Sequence, residues 1–107
     1  MAYDIILAPE AVEDLRRLVA HQRAAVEDAI ERHLRHEPTK VSRSRIKRLR
    51  GMARPQYRLR VDEIRVFYDV SDTIVEVLAI VSKDSADEWL KEEGEKDEGS
   101  GPVGDQG

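Results

Sequence analysis

Residues 57–70 constrain the fold of this chain most, because they alternate apolar and polar side chains over fourteen positions. The apolar set comprises Tyr57, Leu59, Val61, Ile64, Val66, Tyr68 and Val70. The alternation has a period of two and changes phase at residues 62–63, which predicts two strands joined by a two-residue turn. That turn pairs Arg60 with Arg65 and Arg58 with Phe67 on the opposite, polar face. The segment therefore predicts an antiparallel hairpin whose apolar face packs on a core.

The flanking segments place this hairpin in a small α+β domain. Residues 73–82 are apolar at nearly every position, which is typical of a strand covered on both faces. Residues 2–7 are read as a first strand, and residues 9–36 carry apolar side chains at helical spacing. A single helix of that length would measure about 42 Å, so we expect a break near residues 21–24 and an antiparallel helix pair. The predicted fold is α+β, with an N-terminal strand, the helix pair, a three-stranded antiparallel meander and a short C-terminal helix.

We expect one domain over residues 1–93, followed by an acidic, glycine-rich and disordered tail over residues 94–107. The chain has no cysteine, which excludes a disulfide scaffold, thiolate zinc sites and thiol catalysis. Four acidic residues fall within the first twenty positions, so no secretory signal is recognised there. No apolar run approaches the roughly eighteen residues of a membrane span. These features predict a cytoplasmic protein without a membrane partner.

The charge of the chain is distributed unevenly, although its net value is only −4. Residues 40–65 hold ten basic residues against two acidic ones, a local excess of +8. Residues 84–107 hold nine acidic residues and two lysines. A local basic excess is typical of a surface that binds a polyanion, but a solvated basic loop has the same composition. The direction in which these side chains point decides between the two interpretations.

The polar face of the hairpin concentrates this positive charge. Like charges directly opposite one another destabilise a sheet, so Arg60 facing Arg65 is a local cost. A bound anion relieves such a cost, and phosphate matches the guanidinium fork. Alternatively, Asp69, Glu76 or the acidic tail neutralises the cluster from within the protein. The sequence leaves both interpretations open.

Other patterns support no further site. His33 and His36 lie one helical turn apart beside Glu37, but no third ligand converges on them. No glycine-rich loop follows a strand, and no serine stands in the context of a hydrolase nucleophile. We therefore predict neither a metal site nor a cofactor.

Two adjoining segments carry a resemblance to a known family. Residues 48–52 read RLRGM, and residues 57–70 read YRLRVDEIRVFYDV. With the order of strand, helix pair, basic connection and meander, these landmarks resemble the RelE/ParE superfamily, the toxins of bacterial type II toxin–antitoxin pairs. The resemblance covers about residues 2–90.

For the RelE branch, the resemblance implies a metal-independent endoribonuclease that cuts mRNA in the ribosomal A site. The 2′-hydroxyl attacks the adjacent phosphate, which requires a base, cations for the developing charge and an acid. By position, the phosphate-contacting and basic residues of the family fall on Arg58, Arg60 and Arg65. The proposed acid falls on Lys83, and the aromatic residue that stacks on the bases falls on Trp89. The catalytic candidates are therefore Arg60, Arg65 and Lys83, and the RNA-binding candidates are Arg58, Arg50, Lys47 and Trp89.

The resemblance also implies two alternatives. The ParE branch shares the fold and poisons DNA gyrase. A binding module without catalysis is the other alternative, because Arg60 stands at the position of the general base and a guanidinium is almost never neutral at pH 7.

The family implies a set of partners as well. They are a cognate antitoxin, the ribosome with its mRNA, and operator DNA bound through the antitoxin complex. For the antitoxin, any apolar surplus on the helix pair would be the docking surface, and otherwise the same side chains are internal core. The candidates are Val12, Leu15, Val19, Val26 and Ile30.

Overall fold

The computed structural model describes residues 2–97 and confirms the predicted α+β class. Its elements are β1 (Asp4–Leu7), α1 (Pro9–Arg17), α2 (Ala20–Ala29) with a π-helical turn (Ile30–Leu34), β2 (Ile46–Arg48), β3 (Met52–Arg54), β4 (Tyr57–Val61), β5 (Ile64–Ser71), β6 (Ile74–Ser82), a 3₁₀ turn (Lys83–Ser85), α3 (Ala86–Glu93) and β7 (Glu95–Lys96). Of the helices described, none is long and apolar enough to cross a membrane.

The break between the first two helices lies earlier than predicted. The sequence indicated residues 21–24, but Leu18 and Val19 are the extended residues, with ψ of 146° and 158°. The apolar periodicity continues through these positions, so it does not reveal the interruption. The Asp14 carboxylate accepts a hydrogen bond of 2.9 Å from the backbone N–H of Ile80. This bond ties α1 to β6.

Five strands form the main sheet in the order β1-β6-β5-β4-β2. β1 runs parallel to β6, and the other neighbours are antiparallel. The predicted hairpin register is confirmed, since Arg60 pairs with Arg65 and Arg58 pairs with Phe67. Asp62 occupies the turn with φ of 53°, a left-handed conformation that aspartate tolerates better than most residues.

The apolar face of the hairpin packs on the core, as the alternation predicted. Buried residues of this core are Val26, Ala29, Ile30, Leu34, Leu59, Val61, Ile64, Val66, Tyr68, Val75 and Val77, among others. The Tyr68 hydroxyl donates a hydrogen bond of 2.6 Å to the carbonyl oxygen of Pro38. Burial raises the pKa of Tyr68 well above its usual value of 10.0. The helices therefore cover one face of the sheet and leave the arginine face on the other side.

A second, two-stranded sheet extends the described structure into the segment predicted to be disordered. β7 pairs antiparallel with β3, where Met52 lies opposite Lys96. The backbone N–H of Asp97 donates a hydrogen bond of 2.8 Å to the carbonyl oxygen of Gly51. Gly94 suits the end of α3 that leads into β7, because a Cβ atom there would lie 2.6 Å from the Leu90 carbonyl oxygen. The rest of the predicted tail, residues 98–107, lies outside the described residues.

Candidate functional site

A cleft of about 690 Å³ opens on the arginine face of the main sheet. Its walls are the polar face of β4 and β5, the connection after β2, and the beginning of α3. The lining residues are Lys47, Arg48, Leu49, Arg50, Arg58, Arg65, Phe67, Lys83, Asp84, Ala86, Asp87 and Leu90. Six of these twelve side chains are basic and two are acidic, so the basic residues point into a shared concavity. This arrangement favours the anion-binding interpretation over a solvated loop.

Arg58 lines this cleft from β4 and is half-buried. Its Nε atom is buried and has no hydrogen-bond partner among the described residues. Burial lowers the pKa of the Arg58 guanidinium, and the neighbouring charges of Arg65 and Arg60 lower it further. A guanidinium nevertheless stays protonated at neutral pH. The protein therefore keeps a desolvated positive charge here whose hydrogen-bonding capacity it does not satisfy, which suits an anionic ligand.

Arg65, near the start of β5, and Lys83, just after β6, both line the cleft and contact the β4–β5 turn. The Arg65 Nη1 atom donates two hydrogen bonds, one of 2.8 Å to the carbonyl oxygen of Asp62 and one of 3.0 Å to the carbonyl oxygen of Ile64. The Lys83 Nζ atom lies 3.3 Å from the Glu63 carboxylate. The backbone N–H of Lys83 also donates to the Glu63 carbonyl oxygen at 2.8 Å. The two-residue turn thus holds both cations at the cleft.

Arg60 is the one predicted catalytic residue that the structure does not bring into the cleft. Its side chain is exposed and does not line the cavity, although Arg60 lies directly opposite Arg65 in the sheet. Lys47, on β2, and Arg50, in the connection that follows it, both line the cleft. The alternation correctly predicted the face of the sheet on which Arg60 lies. The cleft occupies only part of that face, and Arg60 lies outside that part.

Trp89, the residue expected to stack on RNA bases, is not among the residues that line the cleft. Its ring stacks on Phe67, with centroids 5.1 Å apart and planes at 8° to each other. Phe67 is fully buried under this contact, and Trp89 is half-buried. The expectation for Trp89 did not take into account that α3 lies over the sheet, where this ring covers Phe67.

Two carboxylates also line the cleft, and neither was predicted from the sequence as a site residue. Asp84 and Asp87 line it from the 3₁₀ turn and the first turn of α3. Their spacing of three residues at a helix start is common for reasons of helix stability alone, so it gave no signal of a site. Among the lining residues they are the only groups that can accept a proton at neutral pH.

Asp69 and Glu76 do not neutralise the arginine cluster of Arg58, Arg60 and Arg65. Both contact Arg54 instead, with N–O distances of 3.1 Å and 3.5 Å. Asp69 also accepts a hydrogen bond of 2.7 Å from the backbone N–H of Gln56. Burial raises the pKa of Asp69, and these two partners oppose that shift. These two carboxylates therefore pair with Arg54 and leave the charge of the arginine cluster unpaired by them.

The five apolar residues predicted to dock an antitoxin divide into two groups. Val26 and Ile30 are buried in the core, and Leu15 packs against it, so these three belong to the fold. Val12 and Val19 remain exposed, at 36% and 55% of their surface. Apart from Val19, these residues do lie on helices, as their spacing predicted, but three of the five pack in or against the core.

The two histidines considered as metal ligands do not extend to a larger cluster. Over residues 2–97, no group of three or more His, Cys, Asp or Glu side chains is arranged to hold a metal ion. Burial lowers the pKa of His33, and the nearby charges of Arg45 and Arg32 lower it further.

Fold and site together define a class of small α+β proteins in which helices back one face of an antiparallel sheet and basic residues crowd the other. The model of the ParE toxin of type II toxin–antitoxin systems matches residues 5–86. The chain therefore belongs to this toxin family, within the RelE/ParE superfamily. No curated protein sequence matches the chain significantly.

Solved structures of toxins share the fold. The toxin–antitoxin complex RelBE2 from Mycobacterium tuberculosis contains a chain 26% identical to this one, with 77% of this chain and 99% of that chain covered and a TM-score of 0.64. The RelE–RelB complex from the archaeon Pyrococcus horikoshii gives 22% identity, coverage of 78% and 97%, and a TM-score of 0.64. The Escherichia coli toxin RelE in the free state gives 22% identity, coverage of 81% of this chain and 90% of that chain, and a TM-score of 0.63. At these identities, the last two establish similarity of fold alone.

Proposed function

We propose that this protein is a toxin that cuts mRNA on the ribosome and is neutralised by a cognate antitoxin. The observation that carries the proposal is the basic cleft, where Arg58, Arg65 and Lys83 meet around a space of about 690 Å³. Arg58 contributes a buried Nε atom that has no partner among the described residues. A phosphodiester supplies negative charge and acceptor oxygens for these basic side chains.

The cleft contains the groups required for attack by a 2′-hydroxyl on the adjacent phosphate. Arg58 and Arg65 neutralise charge as it develops on the phosphate oxygens. Lys83 gives a proton to the leaving 5′-oxygen. Arg60 lies outside the cleft and cannot take a proton, so we assign the base to Asp84 or Asp87. The 2′-oxygen forms a bond to phosphorus, the bond from phosphorus to the 5′-oxygen breaks, and no metal ion is required.

The antitoxin is the second part of the proposal. The similar chains from Mycobacterium tuberculosis and Pyrococcus horikoshii were solved in complexes with RelB-type antitoxins. On this chain, Val12, in the first half of α1, and Val19, in the break after that helix, are exposed apolar side chains. Burying them under a partner segment would remove apolar surface from water, which supports an antitoxin contact there.

Inhibition of DNA gyrase is a second candidate, favoured by the match to the ParE family model. The experiment that separates the candidates is primer extension on a defined mRNA in a purified translation reaction, with and without ribosomes. We expect discrete cuts within codons that require ribosomes. Intact mRNA together with inhibition of supercoiling by purified gyrase would replace the endonuclease with the ParE-type activity.

A further inference from the structure

The two-residue turn between β4 and β5 contacts both cations that flank the cleft. It binds Arg65 through the main-chain carbonyl oxygen of Asp62, at 2.8 Å. It binds Lys83 twice, through the Glu63 carbonyl oxygen at 2.8 Å and the Glu63 carboxylate at 3.3 Å. Glu63 is therefore the only side chain of the turn with a described contact to a proposed catalytic group.

We propose that Glu63 is a positioning residue that acts through Lys83, holding its ammonium group at the cleft while that group contacts the bound RNA. This inference deepens the proposed function and rests on it. Glu63 does not line the cleft, so it touches the ammonium without occupying the space of the substrate.

The backbone brings Lys83 and Glu63 next to each other. Val61 and Ile64 close the turn as a strand pair, and Asp62 holds it in a left-handed conformation. The hydrogen bond from the Lys83 N–H to the Glu63 carbonyl oxygen fixes the two main chains relative to each other. The Lys83 side chain therefore begins next to the glutamate in every rotamer, and the carboxylate selects rotamers that bring Nζ close to the turn.

The exposure of the pair leaves the Lys83 ammonium open to the substrate. The side chains of Lys83 and Glu63 are 50% and 71% exposed. Exposed ion pairs contribute little net stability, because water and salt compete with them. The ammonium has three N–H donors, so one of them can point to RNA held by Arg58 and Arg65 in the adjoining cleft while another stays with the carboxylate. The negative charge of Glu63 weakens RNA binding slightly, while its contact reduces the disorder of the lysine.

The chemical step places a strict requirement on Lys83. A proton moves from Nζ to the 5′-oxygen as the bond from that oxygen to phosphorus breaks, while the 2′-hydroxyl proton moves to Asp84 or Asp87. The ammonium must therefore lie within hydrogen-bond reach of the leaving oxygen at the moment of bond cleavage. A lysine has four rotatable side-chain bonds, and restraint of those bonds raises the fraction of molecules with the correct geometry.

Glu63→Gln separates this function from simple electrostatics. Loss of the negative charge tightens the binding of the toxin to ribosome-bound mRNA by about two- to fivefold. Loss of the restraint on Lys83 slows single-turnover cleavage at saturating toxin by roughly tenfold. A merely structural residue would not change binding and cleavage in opposite directions.

Three companion measurements complete the test. Glu63→Asp retains the charge and restores most of the cleavage rate, whereas Glu27→Gln, an exposed glutamate on α2, changes neither quantity. Circular dichroism and thermal unfolding show whether each variant is folded. If the wild-type protein cuts and Glu63→Gln cuts equally fast, the positioning role is wrong and the endonuclease stands. If the wild-type protein cuts no mRNA on ribosomes, both proposals are wrong.

Discussion

Phe67 and Trp89 stack nearly in parallel across the polar face of the sheet, with their ring centroids 5.1 Å apart. Phe67 belongs to β5 and Trp89 to α3, so this contact joins the C-terminal helix to the hairpin. The beginning of α3 contributes Asp87 to the cleft. The aromatic pair therefore supports one wall of the proposed active site instead of offering a free surface to RNA bases.

Trp89→Ala is expected to lower the free energy of unfolding by about 2–3 kcal/mol, because it uncovers Phe67 and leaves a void. Trp89→Phe preserves an aromatic stack and should lose less than about half of that. Urea unfolding followed by circular dichroism measures both values. Equal stability of Trp89→Ala and the wild type would show that the stack does not hold the helix.

Arg58→Met should separate stability from binding. The change removes a desolvated charge between two like charges and keeps an unbranched chain, so the free energy of unfolding should rise by about 0.5–1 kcal/mol at low salt. Affinity for ribosome-bound mRNA should fall roughly tenfold to a hundredfold, since a charge-assisted hydrogen bond contributes about 1.5–3 kcal/mol. Arg43→Met, at an exposed position outside the cleft, is the matched control. A destabilised Arg58→Met protein with normal affinity would make Arg58 a structural residue.

Loss of the two flanking cations should remove cleavage without unfolding the protein. Arg65→Ala and Lys83→Ala each delete a side chain that lines the cleft and is not part of the buried core. We expect a decrease of at least about a hundredfold in the rate of mRNA cutting, the usual scale for an acid or an electrostatic stabiliser. Cleavage at the wild-type rate by both variants would contradict the proposed mechanism.

The carboxylates of the cleft provide a sharper test. If Asp87 accepts the 2′-hydroxyl proton, Asp87→Asn should slow cleavage by about 10²-fold or more with little change in binding. If Asp84 is the base, Asp84→Asn should show that loss. Glu88→Gln, next to Asp87 but outside the cleft, should be neutral. Full activity in the Asp84→Asn and Asp87→Asn double variant would assign the base elsewhere.

Tyr68 predicts a pH dependence of stability. Burial raises the pKa of Tyr68 in the folded protein, so above pH 10.0 the unfolded chain loses this proton while the folded chain keeps it. The free energy of unfolding should therefore fall as pH rises above 10, with a limiting slope of about 1.4 kcal/mol per pH unit from this residue.

Tyr68→Phe should remove that slope. It should also cost about 1–2 kcal/mol at neutral pH, because the Pro38 carbonyl oxygen loses its 2.6 Å hydrogen bond. Urea titrations at pH 7, 10 and 11 give both numbers. Parallel pH dependence of the two proteins would show that Tyr68 ionises in the folded state as it does in the unfolded chain.

The hairpin was predictable to the residue because its information is local. A period of two and a two-residue turn leave only one register that keeps Leu59 and Val66 on the buried face. The strands β2, β3 and β7 span only two or three residues each and have no detectable periodicity. They form through pairing with distant segments, as Met52 does with Lys96, so a local pattern cannot reveal them.

The site was predictable in its charge and less so in its geometry. Alternation placed Arg58, Arg60 and Arg65 on one face, but the position of α3 decides which of them lines the cleft. The same helix covers Phe67 with Trp89 and brings in Asp87. The placement of α3 depends on tertiary packing, which is why the sequence assigned Trp89 to RNA and overlooked the carboxylate.

The pairing of β7 with β3 has a practical consequence for handling the protein. Asp97 is hydrogen-bonded to Gly51, and Arg50 beside it lines the cleft, so a tag that follows Asp97 starts at the rim of the site. A tag before Ala2 starts near β1, the sheet edge opposite β2. Because the chain lacks cysteine, Lys96→Cys would carry a single dye on the strand paired with β3, and Ala2→Cys would carry one near the opposite edge of the main sheet. Purification handles therefore belong at the amino end, and reporters at the carboxyl side.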